Sequence, residues 1–219
     1  MRQLTCIKRL SLPPMRTKPL NKTPPVAKAV TGSPSHELRI IGGQWKRSKI
    51  KVIDKPGLRP TPDRVRETLF NWLGQDLTGW KCVDAFAGTG ALGFEAASRG
   101  AQSVQMFEQD AQLVSLLMDT QKRLGANAVQ VQKGDAMMAL QRIVPGSLDV
   151  VFLDPPFEAL FFEKALQAAA NAVAPEGWVY LEAPQKWQDE AIQACGLVSV
   201  KHMKAGAVHA HLLQRPSEG

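Results

Sequence analysis

Residues 82–95 read CVDAFAGTGALGFE, and the prediction of the fold starts from this stretch. A mostly apolar run at 82–86 is followed by a glycine-rich loop and then by helix-forming residues from Ala91 onward. Gly88, Gly90 and Gly93 have the spacing G-x-G-x-x-G. Between a strand and a helix, this spacing indicates that a nucleotide-like ligand approaches the backbone closely. The stretch therefore predicts a strand, a ligand-binding loop and a helix of an α/β fold.

The segments after this loop alternate between strand and helix patterns. Apolar runs predict strands at 82–86, 104–107, 129–132, 148–153, 178–181, 198–203 and 207–213. Helical periodicity predicts helices at 91–99, 111–124, 137–143, 161–173 and 188–195. Only residues 204–206 join the last two strands, which is too short for a helical crossover, so the last strand should be antiparallel. The pattern predicts a Rossmann-like, seven-stranded, mostly parallel sheet with helices on both faces.

The part of the chain before the sheet divides into a tail and a small extension. Residues 1–36 are rich in proline and lack apolar periodicity, so they are predicted to be disordered. Short β-type runs at 38–41 and 50–53 predict a hairpin with a basic loop, and a helix is predicted at 64–73 with Asp63 as its N-cap. The predicted organisation is a tail (1–36), a hairpin and helix (37–78) and the main α/β domain (79–215).

Positive charge is concentrated at the front of the chain, whose formal net charge is +7. Residues 1–36 hold seven Lys/Arg and no acid, and residues 37–67 hold nine Lys/Arg against four acids. The remaining residues hold eleven Lys/Arg against sixteen acids. This asymmetry favours a polyanionic partner such as nucleic acid, although a solubilising tail without a partner or an organellar transit peptide has a similar composition.

Other composition features argue against several classes of protein. The three cysteines are scattered and form no C-x-x-C pair, so neither a disulfide framework nor a zinc site is expected, and a reducing cytoplasm fits. No apolar run is long enough for a transmembrane helix, so no membrane partner is expected. His209 and His211 share one face of a strand, but without an evident third ligand an ordinary surface strand is favoured over a metal site.

The acids around the glycine loop favour one ligand over another. Asp84, four residues before Gly88, would repel a pyrophosphate at a helix N-terminus but would suit a cationic ammonium. Glu108 ends the second strand and would accept hydrogen bonds from ribose hydroxyls, and Asp135 follows the third strand, where it would accept from an adenine amine. The loop thus favours S-adenosylmethionine over a dinucleotide. Asp84 and Asp135 would equally serve as helix-capping acids.

A second motif, Asp154-Pro155-Pro156-Phe157, follows the apolar strand at 148–153. The two prolines remove two N–H donors and stiffen the turn, so the turn presents mainly acceptors, the Asp154 carboxylate and the Pro155 carbonyl. Such a turn suits the exocyclic amine of a planar base, and Phe157 would stack on a base that is flipped out of its helix. A proline-rich turn with Phe157 buried in the core is the structural alternative.

These motifs together resemble a known family. VDAFAGTGALGFEA, FEQD, GDA and FLDPPF are similar to motifs of class I S-adenosylmethionine-dependent methyltransferases that act on exocyclic amines. RIIGGQWKRSKI and GLRPTPDRVRETLFNWL resemble the RsmD family, which methylates guanine N2 of small-subunit (16S) ribosomal RNA. The resemblance covers about residues 38–213. It implies a cytoplasmic, monomeric enzyme whose partner is 16S rRNA or the assembling small ribosomal subunit.

The resemblance also implies roles for particular residues. The cofactor S-adenosylmethionine would contact Asp84, Phe86, Gly88, Gly90, Glu108, Gln109, Asp135, Ala136, Thr61 and Arg64. The target base would contact Asp154, Pro155, Pro156 and Phe157. RNA would contact Arg39, Trp45, Lys46, Arg47 and Lys49, with Trp45 as a stacking residue. No metal is implied.

Several alternatives stay open on the sequence. An adenine-N6 methyltransferase acting on DNA or RNA would share the D-P-P-F turn, and so would a protein-glutamine methyltransferase. A nucleic-acid-binding protein with an inactive methyltransferase fold is the alternative from another class, although the four intact acids argue against it. Arg59, Arg64 and Arg66 would either contact RNA or lie on a solvated helix face.

Overall fold

The structure is a computed structural model that describes residues 37–56, 58, 60–156 and 161–217. Its strands are β1 (Glu37–Arg39), β2 (Lys49–Lys51), β3 (Lys81–Asp84), β4 (Ser103–Glu108), β5 (Val129–Lys133), β6 (Leu148–Leu153), β7 (Val173–Ala183), β8 (Val198–Ala205) and β9 (Val208–Gln214). Its helices are α1 (Asp63–Trp72), α2 (Ala91–Ser98), α3 (Ala111–Leu124), α4 (Ala136–Arg142), α5 (Phe162–Ala172) and α6 (Asp189–Ala194). The predicted disordered tail, Arg59 and Phe157 lie outside the described residues.

The main sheet confirms the predicted fold class. Its seven strands have the order β5-β4-β3-β6-β7-β9-β8. The first five strands of this order run parallel, and β9 pairs antiparallel with both β7 and β8. The last strand is therefore the antiparallel one, as the short connection at 204–206 predicts. The order reverses between β3 and β6, and in open α/β sheets ligands bind at the carboxyl ends of the strands at such a point.

Local sequence accounts for the ends of some helices and not of others. Helix α3 begins after Asp110, whose carboxylate accepts the N–H groups of Gln112 and Leu113, and it ends at Gly125 with φ of 61°. Helix α1 differs from the prediction, because Pro62 occupies the N-cap position and no side chain caps the helix. The Asp63 carboxylate instead pairs with Arg66 at 2.6 Å, so the prediction of Asp63 as the N-cap is wrong.

The strand residues alternate between two cores on opposite faces of the sheet. Cys82 and Phe152 point into the core beneath α1, α2 and α3, whereas Val83 and Val151 point into the core beneath α4, α5 and α6. By this alternation, residues at the strand ends that share the face of Cys82 lie on the α2 side.

The front extension is part of the same core and not a loosely attached segment. Strands β1 and β2 pair as the predicted antiparallel hairpin, with Leu38 opposite Ile50. Ile40, Ile50 and Leu69 are buried in the hydrophobic cluster that also contains the strand residues of the α2 face. The hairpin and α1 are therefore held in place by apolar burial against the sheet domain.

A buried ionic network fastens this extension to α2. The fully buried Glu95 carboxylate accepts the backbone N–H groups of Ile41 (2.8 Å) and Gly42 (2.7 Å) and pairs with Arg66 (3.4 Å) and Arg99 (2.8 Å). Arg66 has no exposed surface, so neither predicted alternative for it, RNA contact or a solvated face, is correct. Both failed because the partners of Arg66 come from distant parts of the chain. No helix in the described ranges is long and apolar enough to cross a membrane.

Candidate active site

Three carboxylates gather at the carboxyl ends of neighbouring strands. Asp84 ends β3, Asp154 directly follows β6, and Glu182 is the penultimate residue of β7. The register pairs Asp84 with Phe152 and Phe152 with Tyr180, so by alternation all three acids lie on the α2 face. These three carboxylates interact electrostatically: the negative charges of Glu182 and Asp84 each raise the pKa of Asp154. This is the reversal point of the strand order, where a ligand is expected.

Asp84 is buried behind the glycine loop. Its Oδ2 accepts the N–H of Gly93, at 3.0 Å, in the first turn of α2, so the helix-capping alternative is present in the structure. Burial raises the pKa of this carboxyl to about 7, and the charges of Glu108 and Glu182 act in the same direction. Among the described residues no Lys, Arg or His pairs with Asp84. A buried acid without a cation suits a positively charged ligand group and disfavours a pyrophosphate.

The glycines of the loop are explained partly by packing. Gly90 has φ of 78°, and a Cβ there would lie 2.6 Å from Leu117 and 2.7 Å from Phe94. A Cβ on Gly93 would lie 2.3 Å from Met106, so this glycine allows α2 to approach β4 closely. Gly90 and Gly93 therefore reflect chain geometry and would be required whatever ligand is bound.

Acceptor side chains continue along the edge from β3 to β5. The Glu108 carboxylate accepts the N–H groups of Gly88 and Asp110, both at 2.9 Å, and so holds the glycine loop against the end of β4. Gln109 donates to Asp135 at 2.7 Å, and the other Asp135 oxygen accepts the N–H of Met138 at 2.9 Å, which caps α4. The capping alternative for Asp135 is thus present as well, and Ala136 is buried at the start of α4.

The turn after β6 follows Asp84 in this row of acids and lies between β3 and β7. Asp154 is partly buried, Pro155 is buried and Pro156 is exposed. Burial, and then the charges of Glu182 and Asp84, raise the pKa of Asp154 well above its usual value. Phe86 stacks on Phe161, with ring centroids 6.0 Å apart and planes 17° apart, so this side of the turn is aromatic. The role of Phe157 stays a prediction.

Glu182 is the residue that the sequence analysis missed. It is buried, and its carboxylate accepts the hydroxyl of Tyr180 at 2.9 Å. The hydroxyl of Thr61 lies beside this carboxylate and opposes the rise in its pKa that burial causes. Thr61 is also buried, and its carbonyl accepts the Nε–H of Arg66 at 3.2 Å. The only signal in the sequence is an acid near the end of an otherwise apolar strand next to β6. The structure therefore brings Thr61, predicted as a cofactor residue, to the strand ends.

The connector between β2 and α1 runs across this edge of the sheet. Lys55 forms an ion pair with Asp110, and Leu58 lies over the glycine loop, 3.3 Å from where a Cβ on Gly88 would be. Farther along the connector, Thr61 lies beside Glu182. Arg64, also predicted to contact the cofactor, is exposed in the first turn of α1, and its side chain has no ion pair among the described residues.

The predicted RNA-contacting residues lie elsewhere. Arg39, Lys46, Arg47 and Lys49 lie on the hairpin with their side chains at least partly exposed, whereas Trp45 is half-buried against the core. At the hairpin tip, the backbone N–H groups of residues 44 and 45 donate to the Ser98 carbonyl (2.7 Å) and hydroxyl (2.9 Å) at the C-terminal end of α2. Because α2 begins at the carboxyl edge and runs back, the tip lies at the opposite edge of the sheet from Asp154.

The two histidines predicted to share a strand face have a third neighbour. His202 of β8 lies 3.0 Å from His209, Nε2 to Nδ1, and its ring centroid is 4.7 Å from that of His211. Burial and the neighbouring histidines lower the pKa of His211 to about 4. Within the described residues, no group of His, Cys, Asp and Glu has the arrangement needed to hold a metal ion.

Comparison with known proteins links the chain to one family. The profile of the family described as "Conserved hypothetical protein 95" matches residues 38–214. Ribosomal RNA small subunit methyltransferase D of Escherichia coli (strain K12) is 39% identical over 193 residues, which cover 85% of this chain and 94% of that protein. The protein of the same name from Haemophilus influenzae is 36% identical, over 80% of this chain and 97% of that protein.

Solved structures agree with the fold. An Escherichia coli protein described as a methyltransferase, yhhF, has a TM-score of 0.71 and 36% identity, over 84% of this chain and all of that chain. Precorrin-6y C5,15-methyltransferase from Geobacter metallireducens has a TM-score of 0.60, over 75% of this chain and 94% of that chain. At 18% identity, this second likeness shows the fold alone.

Proposed function

The chain belongs to the family described as "Conserved hypothetical protein 95", and on this premise we propose that it transfers a methyl group from S-adenosylmethionine to the N2 amine of a guanine in small-subunit (16S) ribosomal RNA. The observation that carries the proposal is the row of acids at the carboxyl ends of β3, β4, β5 and β6, which are Asp84, Glu108, Asp135 and Asp154. We place the reaction in the cytoplasm, with a monomeric enzyme acting on rRNA or on the assembling subunit.

The side chains at the strand ends fit the proposed cofactor. When bound, S-adenosylmethionine supplies a methyl group on a positively charged sulfonium. Asp84, buried and without a cationic partner in the described part of the chain, would receive the cationic ammonium. Glu108 would accept from the ribose and Asp135 from the adenine amine, with Phe86, Gly88, Gly90, Gln109 and Ala136 around them. Thr61 and Arg64 would close the site from the front segment.

The turn after β6 would hold the target base. The Asp154 carboxylate and the Pro155 carbonyl would accept the two N–H bonds of the amine, which orients the nitrogen lone pair toward the methyl group. As the new N–C bond forms, the nitrogen becomes acidic and loses one proton. Asp154 would accept this proton, and burial together with the charges of Glu182 and Asp84 raises its pKa and so its affinity for a proton. Pro156 stiffens the turn, and Phe157 would stack on the flipped base.

The exposed cations of the hairpin would engage RNA phosphates. Arg39, Lys46, Arg47 and Lys49 supply the charge, and they are supported by the basic composition of the front segment. Because the half-buried Trp45 packs against the core, only part of its ring surface is available for stacking. We further propose that 37–78 is the RNA-binding and cofactor-covering extension, that 79–215 is the methyltransferase domain, and that 1–36 is a basic tail.

Replacement of Asp154 tests the proposed chemistry. We expect Asp154→Ala to abolish methyl transfer to 16S rRNA while leaving the affinity for S-adenosylmethionine within about threefold, because Asp154 is assigned to the base and not to the cofactor. Asp149→Asn is the matched control. Asp149 is an acid at the amino end of the same strand, and it accepts the N–H of Lys81 at 2.7 Å. Cofactor affinity is measured by calorimetry and turnover by transfer of a labelled methyl group.

The methylated nucleoside decides between the proposal and its main alternative. Mass spectrometry of rRNA nucleosides should identify N2-methylguanosine in the presence of the protein and not in its absence. The D-P-P-F turn suits adenine as well, so N6-methyladenosine as the product would establish the alternative specificity. A variant lacking Asp154 that still turns over, or one that fails to bind the cofactor, would contradict the assigned role.

A further inference from the structure

Glu182 has an environment that its position in the chain does not predict. Its carboxylate is buried at the end of β7, accepts a hydrogen bond from the hydroxyl of Tyr180 at 2.9 Å and lies beside the hydroxyl of Thr61. Tyr180 is fully buried and belongs to the same strand, whereas Thr61 belongs to the connector. Glu182 is therefore a direct contact between the strand ends and the front extension.

Thr61 is fixed from two sides. Its hydroxyl lies beside the Glu182 carboxylate, and its carbonyl accepts from Arg66, whose guanidinium also contacts the Arg39 carbonyl (2.9 Å) and Glu95 (3.4 Å). A buried threonine with both groups engaged has little freedom to move. Removing its hydroxyl would take a polar neighbour from the buried Glu182 carboxylate, which is costly in a low-dielectric site.

We infer that Glu182 is a positioning residue of the reaction centre, which holds Thr61 and the connector against the strand ends that carry Asp84 and Asp154. The inference rests on the proposed function for the nature of the reaction. Glu182 does not replace Asp154 as the group that touches the base. It acts on Asp154 through its charge and on the connector through the hydroxyl of Thr61.

The charge of Glu182 has a consequence for Asp154. The pKa of Asp154 is raised by burial, then by Glu182 and Asp84, and Glu182 has a raised pKa of its own. The two carboxyl groups therefore titrate as a pair. Asp84 and Tyr180 are the other titratable groups that interact with this pair, and Glu108 interacts with Asp84. Loss of the Glu182 charge should move the ionisation of Asp154 to lower pH, which a purely structural role would not do.

The titration of Asp154 tests this effect without using activity. Glu182→Gln keeps the shape and one acceptor oxygen but removes the charge. We expect the carboxyl carbon signal of Asp154, assigned by its absence in Asp154→Asn, to titrate at lower pH in Glu182→Gln than in the wild-type protein. Tyr180→Phe is the control, because it removes a partner of Glu182 and leaves the charge. An Asp154 titration that is the same in Glu182→Gln and in the wild-type protein would overturn the inference.

A second variant keeps the inference testable if Glu182→Gln fails to fold. Thr61→Val replaces the hydroxyl by a methyl group of similar size, so we expect kcat for rRNA methylation to fall about tenfold, as for loss of one polar contact to a charged group, with KM for rRNA little changed. Thr61→Ser, which restores the hydroxyl, should recover most of kcat. A Thr61→Val enzyme with the wild-type kcat would overturn the inference. Absence of rRNA methylation by the wild-type protein would instead refute the proposed function.

Discussion

The Asp84 carboxylate serves two purposes at the residue scale. It caps the first turn of α2 through Gly93, and it places a buried negative charge behind the glycine loop. The capping bond lowers the pKa of this carboxyl, but burial outweighs it and the pKa rises to about 7. In the protein without a cationic ligand, the ionised form is therefore unfavourable, and this cost should be visible in the stability of the fold.

The pH dependence of unfolding tests the state of Asp84. Its pKa is about 7 in the folded protein and about 3.9 in an unfolded chain, so its contribution to stability is fully present below about pH 4 and is lost as the pH rises through 7. We expect Asp84→Asn, which keeps an acceptor for Gly93, to be more stable than the wild-type protein by a few kcal/mol at pH 8 and by less at pH 5.5. Urea denaturation at both values measures this, and a pH-independent difference would contradict it.

Single residues also show what the sequence could and could not predict. Glu108 and Asp154 directly follow predicted strands, Asp135 follows one after two residues and Asp84 lies within the run at 82–86. The strand pattern alone therefore predicts that these acids meet near one edge of the sheet. Glu182 was not predicted because acids are disfavoured in strands, and the predicted strand therefore stopped at 181 although β7 continues to Ala183. Its function depends on Thr61, which lies more than a hundred residues earlier in the chain.

At the scale of elements, the extension and α2 are joined by a buried ionic network. Arg66 donates from α1 to the Thr61 and Arg39 carbonyls and to the Asp63 and Glu95 carboxylates. These partners come from the connector, the hairpin, α1 and α2. Arg66, within the segment GLRPTPDRVRE, therefore has a structural role, because it holds the extension against α2. The resemblance of this segment to the RsmD family reflects packing as well as function.

Replacement of Arg66 tests how much this ionic network stabilises the fold. We expect Arg66→Ala to lower the free energy of unfolding by about 3–5 kcal/mol, because it breaks a buried ion pair and leaves carbonyl groups without donors. Arg64→Ala, on the exposed face of the same helix, should change it by less than about 0.5 kcal/mol. Urea denaturation of both variants measures the difference. Equal effects at the two positions would show that the network does not stabilise the extension.

Elements with strong local signals were predicted closely. Helix α3 has the predicted bounds because Asp110 caps its start and Gly125 ends it, and β6 is a mostly apolar strand with the predicted bounds. The start of α1 was predicted less well, because the carboxylate of Asp63 is taken by Arg66. That competition depends on the tertiary fold, and local capping preferences carry no information about it.

At the scale of the whole molecule, the basic hairpin tip and the acidic strand ends lie at opposite edges of the sheet. The contacts of residues 44 and 45 with Ser98 place the tip at the far end of α2 from the glycine loop. The charge distribution predicts the basic hairpin, and the strand pattern predicts the acidic strand ends. Neither predicts that the two regions lie at opposite edges of the sheet, because sequence distance says little about which end of a helix a hairpin contacts. RNA held by the tip would have to extend along the molecule to reach Asp154.

Charge reversal at the tip tests this arrangement. We expect Lys46→Glu with Arg47→Glu to weaken binding of 16S rRNA and to reduce the slope of log affinity against log salt by roughly one for each phosphate that the variant no longer neutralises. Lys201→Glu with Lys204→Glu, on the exposed edge strand β8, is the matched control and should leave the slope unchanged. Filter binding over a range of salt concentrations gives both slopes. Identical slopes in the two double variants would rule out the tip as a docking surface.

The placement of the hairpin tip fixes its distance from the glycine loop. Helix α2 has eight residues, so the tip and the glycine loop are separated by about 12 Å along its axis. If the tip binds an RNA phosphate, as we propose, the favoured substrate would be an RNA in which that phosphate and the target guanine are separated by a matching distance. Substrate selection would then depend on the folded shape of the RNA as much as on the base itself.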